Sequence, residues 1–326
     1  MQNELNQYIV ELNRIYKAGN ATEHSYRPAL QRLLENITQG VAIINEPKQI
    51  ACGAPDYIVT RKEIPIGYIE AKDIGVDLDG KQNKEQFDRY KKSLDNLIIT
   101  DYLVFRLFEN GELSTSVTIG KVGKNGIEAG SAQFETFVGI IGCFTNYKGQ
   151  SIRSSEQLSK MMAAKARLMA GIIEKALNED TTQSDDSSLT EQLKGFREVL
   201  IHDITIKGFA DIYAQTIAYG MFAARLHDET PSGFSREAAA RLIPPSNPFL
   251  RKLFQYIAGY DLDARIRWVV DALADMFNYT DMDELMKHFG KATISMTLLF
   301  TFMKLFYPNM TLHCVRVEEC GTHRNP

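Results

Sequence analysis

The chain reads as an α/β unit followed by an all-α unit, and three observations predict this. Two apolar, β-branched runs, one beginning at Asp56 and the other spanning Ile64 to Lys72, carry period-two character. Ile98 to Phe108 is a further β-prone stretch, and Asn110-Gly111 beyond it has the chemistry of a hairpin turn leading into Ser114–Ile119. From Ser154 onward strand signals nearly vanish, and apolar residues recur at three- and four-residue spacing.

Taken in order, residues 2–18 and about 25–38 read as two helices. A turn centred near Glu63 folds the first two β runs into a hairpin. Asp56 and Glu70 are equidistant from that centre, so antiparallel pairing sets them opposite one another. Glu70 and Lys72 are two apart and share a face of the strand. A helix is expected from Lys84 to about Leu97, with Gln86 and Tyr90 on one side of it. The α/β unit closes near residue 145, giving domains at 1–150 and 151–293. In the second, Ser155–Leu177 is helical, and the polar stretch from Asn178 to Ser188 is expected to be a mobile loop. Helical patterns follow at about 189–204, 207–227, 235–243, 248–258, 263–277 and 281–289. Trp268, the single tryptophan, sits in an amphipathic pattern and is assigned to the core. No repeat of fixed period is present.

A chain of 326 residues can bury a full core. With 44% hydrophobic and 24% charged residues, its composition is that of an ordinary soluble protein. No stretch reaches the roughly 18 to 20 apolar residues that span a bilayer, and the polar, amphipathic first residues are no signal peptide. The expectation is a cytoplasmic protein with no membrane partner. A net charge of −4 argues against a surface coated with phosphate-binding groups, yet Lys81, Lys84, Arg89, Lys91 and Lys92 cluster on the expected helix. DNA contact and a plainly solvated helix face both fit that cluster. Cys52, Cys143, Cys314 and Cys320 show no CxxC spacing, so neither a zinc site nor a disulfide framework is expected.

The hairpin carries the chemistry. Two carboxylates and an ammonium converging on one spot lose hydration, and a hard divalent cation held by the carboxylates would offset that cost. Pro55, Asp56 and then Glu70-Ala71-Lys72 resemble the signature of the PD-(D/E)xK nucleases. Gln86 to Tyr90 is similar to the QxxxY element that follows this core in restriction-type members. Thr22 to Leu30 resembles the opening of single-chain restriction–modification enzymes of the type IIG and type ISP kind. Lys207 to Leu226, KGFADIYAQTIAYGMFAARL, resembles their helical connector.

That resemblance implies a restriction-endonuclease-like core with a mixed sheet flanked by helices, followed by an all-α connector. It implies a type II, IIG-like, site-specific deoxyribonuclease that hydrolyses DNA phosphodiester bonds by metal-activated water. Asp56, Glu70 and the Ala71 carbonyl would hold Mg²⁺ or Mn²⁺, and Lys72 would orient or deprotonate the water and stabilise charge on the phosphate. Gln86 and Tyr90 would position the lysine or the scissile backbone, although Tyr90 could equally pack with Phe87 and Leu94. Glu23 fits an accessory acidic residue and fits equally a carboxylate placed for a helix dipole. His24 and Arg27 could touch phosphate, although as exposed helix residues they need no such role. The partner is double-stranded DNA, with a homodimer as one route to double-strand cleavage. The rival reading is a catalytically silent DNA-binding or scaffolding fragment.

Several motifs are missing from the sequence. It contains no GxxxxGK[ST], no FxGxG-like cofactor loop and no NPPY-like motif. Methyltransferase and target-recognition domains are therefore expected only in a full-length parent, which alone would use S-adenosylmethionine, and DNA binding by this fragment should be weak and nonspecific. Residues 294–326 read as an out-of-frame, non-native tail. One permitted back-translation, shifted by one base, reads TFLSQYDPALRKSRGVWYTPEP, which resembles the family's lead into the methyltransferase. Cys314, Cys320 and His323 then carry no chemistry.

Overall fold

The computed structural model describes residues 1–45, 55–61, 64–147, 149, 152–183, 187–199, 201–228, 233–242 and 262–287. The expected turn at Glu63, the helix at 248–258 and the tail at 294–326 lie outside the described residues.

Two helices, α1 (Gln2–Lys17) and α2 (Glu23–Ile37), open the chain and precede the short strand β1 (Ala42–Asn45). The hairpin strands β2 (Tyr57–Arg61) and β3 (Ile64–Ala71) follow, then helix α3 (Lys81–Ser93). Strands β4 (Asn96–Thr100), β5 (Val104–Glu109) and β6 (Glu112–Thr118) complete a six-stranded sheet in the order β1-β2-β3-β4-β5-β6. All neighbours pair antiparallel except β3 and β4, which run parallel with α3 as the crossover between them. A small ribbon, β7 (Gly120–Gly123) with β8 (Gly126–Ala129), leads to α4 (Phe134–Thr145). The described elements beyond α4 are helices: α5 (Ser155–Gln183), α6 (Ser188–Val199), α7 (Ile206–Leu226), α8 (Arg236–Leu242), α9 (Ala264–Asn278) and α10 (Met282–Lys287).

Strand alternation divides the core into two layers. Tyr57, Val59, Ile69, Ala71 and Ile98 face α1, α2 and α4. Ile58, Tyr68, Leu97 and Ile99 face α3 and, beyond it, α5, α7 and α9. This second apolar layer runs without a break from the sheet into the helices, and the Tyr68 and Trp268 rings meet at 5.4 Å. Trp268 is buried, as its pattern predicts. Gly67 is needed where α4 crosses β3, because a Cβ there would meet the Phe144 ring at 2.5 Å.

The expected mixed sheet flanked by helices is present, with four local differences. First, α3 ends at Ser93 and does not run on to Leu97. Asn96 is already in β4, its amide donating to the Ile66 and Phe144 carbonyls, and this sheet pairing overrides helical propensity. Second, Ile98–Phe108 is two strands. Asp101 accepts from the amides of Leu103 and Val104, and Tyr102 takes a left-handed φ of 70°, folding β4 back onto β5. Third, α5 continues through Asn178 to Gln183, where a loop was expected, because Asp180 is tied to Arg265 of α9. Fourth, α6 ends at Val199, short of the expected 204. Strands β1, β7 and β8 and helix α4 carry patterns too short or too uniformly apolar to read in advance. Asn110 (φ 52°) and Gly111 (φ 85°) form the expected two-residue turn between Glu109 and Glu112.

Candidate active site

The site lies where β2 begins and β3 ends. Tyr57 pairs with Ile69, so Asp56 and Glu70 continue the register as opposite residues just beyond it. A β-bulge between Val59 and Thr60 leaves that end of the hairpin undisturbed. Lys72 is held in line by its backbone amide, which donates to the Thr100 carbonyl at 2.8 Å.

Asp56 is a hub. Its Oδ2 accepts from the Ala71 amide at 2.7 Å, and its Oδ1 accepts from Arg27 Nη2 at 2.5 Å. The same Arg27 nitrogen donates to Glu23 Oε1 at 2.5 Å, so one guanidinium bridges two carboxylates. Arg27 is only 5% exposed, which corrects its assignment as an exposed helix residue. The four-residue spacing from Glu23 was visible in the sequence; the contact with Asp56 was not. His24 is exposed, as expected.

Glu70 is 2% exposed. Its Oε1 accepts from Lys72 Nζ at 2.6 Å and from Gln86 Nε2 at 2.8 Å. Its Oε2 is buried and has no hydrogen-bond partner among the described residues. Tyr90, one turn along α3, is buried between Phe87 and Leu94 and hydrogen-bonds the Gln86 side chain. Through Gln86 it is linked to the Glu70 carboxylate. Lys72 also lies over the Phe87 ring, 5.8 Å from its centroid.

The electrostatics follow from burial. Desolvation, with Glu23 nearby and only partly offset by Arg27, pushes the Asp56 carboxyl up to about 6. Desolvation and the Asp56 charge push Glu70 up to about 8, against the pull of Lys72. For Lys72, burial favours the neutral amine, yet Glu70, Glu23 and Asp56 together outweigh it and raise its pKa. Fully ionised, the three carboxylates would outnumber the two cations, Arg27 and Lys72, so the cluster favours a proton on Glu70.

A ring of tyrosines sets α2 against this cluster. Tyr8 donates to the Tyr102 carbonyl at 2.9 Å, Tyr102 to the Glu23 carbonyl at 2.9 Å, and Tyr57 to the Arg27 carbonyl at 3.1 Å. Two hydroxyls, of Tyr102 and Tyr57, thus fix the backbone that presents Glu23 and Arg27, and the third, of Tyr8, holds Tyr102. Tyr102 keeps its left-handed backbone because its amide is also held, by Thr100 Oγ1 at 2.8 Å. No sequence motif marks these tyrosines.

Among the described residues, no group of three or more Asp, Glu, His or Cys side chains forms a metal cage. The two-carboxylate set does fit a hard cation that keeps most of its water or takes phosphate oxygens. The fit rests on the unpartnered Glu70 Oε2 and on the Asp56 charge that, with desolvation, pushes the Glu70 carboxyl up.

No protein-family profile matches this chain, and none of the curated proteins matches it. Among solved structures, the chain is similar to one in the cryo-electron microscopy structure of a DrdV–DNA complex, at 16% identity and a TM-score of 0.37. The match covers 94% of this chain, which spans 29% of the length of that one. No helix among the described residues is long and apolar enough to cross a membrane.

Proposed function

We propose that this chain is a Mg²⁺- or Mn²⁺-dependent endodeoxyribonuclease module with a PD-(D/E)xK core, belonging to a IIG-like restriction–modification enzyme. The observation that carries the reading is Glu70. It is a buried carboxylate with one oxygen held by Lys72 and Gln86 and the other unpartnered, opposite a second carboxylate. Burying such a group costs several kcal/mol unless a cation compensates.

Asp56 and Glu70 would hold the ion, with the Ala71 carbonyl completing the protein ligands. Once bound, the ion supplies positive charge to the phosphodiester and acidifies water. Gln86 fixes the rotamer of Glu70, and Tyr90 fixes Gln86. Lys72, kept as an ammonium by the surrounding carboxylates, donates to a phosphate oxygen and stabilises the charge that develops during attack. A water that gives up a proton to bulk solvent bonds through its oxygen to phosphorus, the opposite ester bond breaks, and the leaving oxygen takes a proton from solvent, giving one phosphate end and one hydroxyl end. Glu23 acts through Arg27, which it shares with Asp56. The division at about residue 150 into nuclease and helical connector belongs to the same proposal.

One observation favours the rival reading, a catalytically silent DNA-binding fragment. Both Asp56 oxygens are already occupied, by Arg27 and by the Ala71 amide. Supercoiled plasmid incubated with and without Mg²⁺ or Mn²⁺ separates the two. Metal-dependent nicking that EDTA stops supports the enzyme; plasmid binding with no nicking in either metal supports the silent fragment.

A further inference from the structure

Helix α3 presents two faces. One carries Gln86 and Tyr90 toward the site. The other, at three- and four-residue spacing, carries Lys81, Lys84, Glu85, Asp88 and Lys92 into a groove of about 630 Å³ between α3 and α5. Arg89 of α3 and Arg167 of α5 join its rim, over a floor that includes Ala164 and Leu168. Five cations face two carboxylates there, in a chain whose net charge is −4. Lys81 and Glu85, and likewise Lys84 and Asp88, have the spacing of helical ion pairs, yet no ion pair joins them. A neighbouring groove, which shares Asp88 and Lys92 and is also lined by α5, is different. Lys91, Lys92 and Lys160 meet Asp88, Asp95, Glu112 and Glu156 there, and Lys160 is paired with Glu156 at 2.6 Å. Positive charge is thus concentrated in the groove that Lys84 and Arg167 line.

We propose that the α3–α5 groove is a binding track for the sugar–phosphate backbone of duplex DNA, separate from the carboxylate site. The proposal rests on the nuclease reading for its choice of ligand. Lys84 and Gln86 are near neighbours on opposite sides of one helix, so the track and the site are separated by a helix diameter, about 10 to 12 Å. The B-DNA major groove is about 12 Å wide. A duplex can therefore present one backbone to Glu70 and Lys72 and the other to Lys84 and Arg167. Because α5 supplies Arg167 and the floor, the helical region is part of the DNA surface.

The test is fluorescence anisotropy of the full chain with a short labelled duplex in EDTA, titrated over a range of KCl. Wild type should bind with a steep salt dependence. The Lys84→Gln/Arg167→Gln double variant, which changes only exposed residues, should reduce the slope of log K against log salt by about 2 and weaken binding about 10- to 100-fold at low salt. Lys84→Arg should retain the wild-type slope, Glu85→Gln should tighten binding, and Lys124→Gln, far along the chain in the small ribbon, should change nothing. Wild-type affinity and slope in the double variant would overturn the track, as would no duplex binding by wild type or equal binding of a single strand. Groove-dependent binding without metal-dependent nicking would leave the track standing and remove the nuclease reading. Nicking lost in Asp56→Ala, with binding indifferent to Lys84 and Arg167, would do the reverse.

Discussion

Two buried charge clusters in this protein use the same residue types to opposite effect. In the helical region, Arg265 grips Asp180 with two parallel hydrogen bonds of 2.6 and 2.9 Å and also reaches Asp263. Ser187 and Thr190 supply further donors to Asp180. Burial alone would raise the Asp180 carboxyl, but the bonds from Arg265 and Ser187 outweigh it and hold it below the usual carboxylate range. At the end of β3, one lysine and one glutamine share a single oxygen of Glu70, and the other oxygen has no donor. There the carboxyls are pushed up. The first cluster is complete as folded and ties α5 to α9. The second holds its carboxyls above the usual range, with one Glu70 oxygen unpartnered among the described residues, and carboxyls raised in this way mark a working site better than the mere presence of acids.

The sharpest way to break this contrast is chemical. Asp56→Ala, Glu70→Ala and Lys72→Ala should each reduce metal-dependent plasmid nicking at least about 1000-fold. Glu70→Ala should melt no lower than wild type, since it removes a buried carboxyl whose second oxygen has no partner among the described residues. Wild-type cleavage in any two of the three would remove the site from the chemistry.

Arg265→Ala is the structural counterpart. It leaves Asp180 buried without its partner and should cost about 3 kcal/mol in urea denaturation. A loss below about 1 kcal/mol would mean that the helical cluster holds little together.

A smaller effect comes from metal. Mg²⁺ at ten times its dissociation constant should stabilise wild type by about 1.4 kcal/mol through mass action, read as a rise in melting temperature. Glu70→Gln should lose that rise while keeping an acceptor for Lys72 and Gln86. An undiminished response would place the ion elsewhere.

The smallest expected effect is in pH. Glu70 holds its proton more tightly folded than unfolded, so its contribution is greatest at low pH and is lost as pH rises through about 8. Between pH 7 and 8.5 the wild type should lose about 1 kcal/mol, and Glu70→Gln should lose less. Asp180 has the opposite sign, because its lowered pKa contributes stability above the usual carboxylate range that disappears as pH falls below it. A wild-type slope that is flat over this alkaline window, or equally steep in Glu70→Gln, would contradict the raised Glu70.

What could be read in advance was local. The opposition of Asp56 and Glu70 follows from their equal separation from Glu63, with the bulge absorbing one residue of β3, and the Lys72–Glu70 contact from the period of two. The turn at Asn110-Gly111 follows from which residues accept positive φ. Each rests on covalent spacing, which is the same before and after folding. Contacts between elements distant in sequence were not readable. Arg27 is an ordinary helix residue until α2 docks on the tyrosines and carries it to Asp56. The stretch after Leu177 is polar enough to read as a loop until Arg265 ties Asp180 into α5. Arg167 faces α3 only because α5 packs there.

The sequence by itself determined which residues share a strand face or helix side, and so which acids, lysine and glutamine could meet. The tertiary structure alone decided which of them are buried, which oxygens find donors, and therefore which carboxyls rise and which fall. Spacing sets direction along a chain, whereas desolvation and hydrogen-bond satisfaction depend on everything packed around a group.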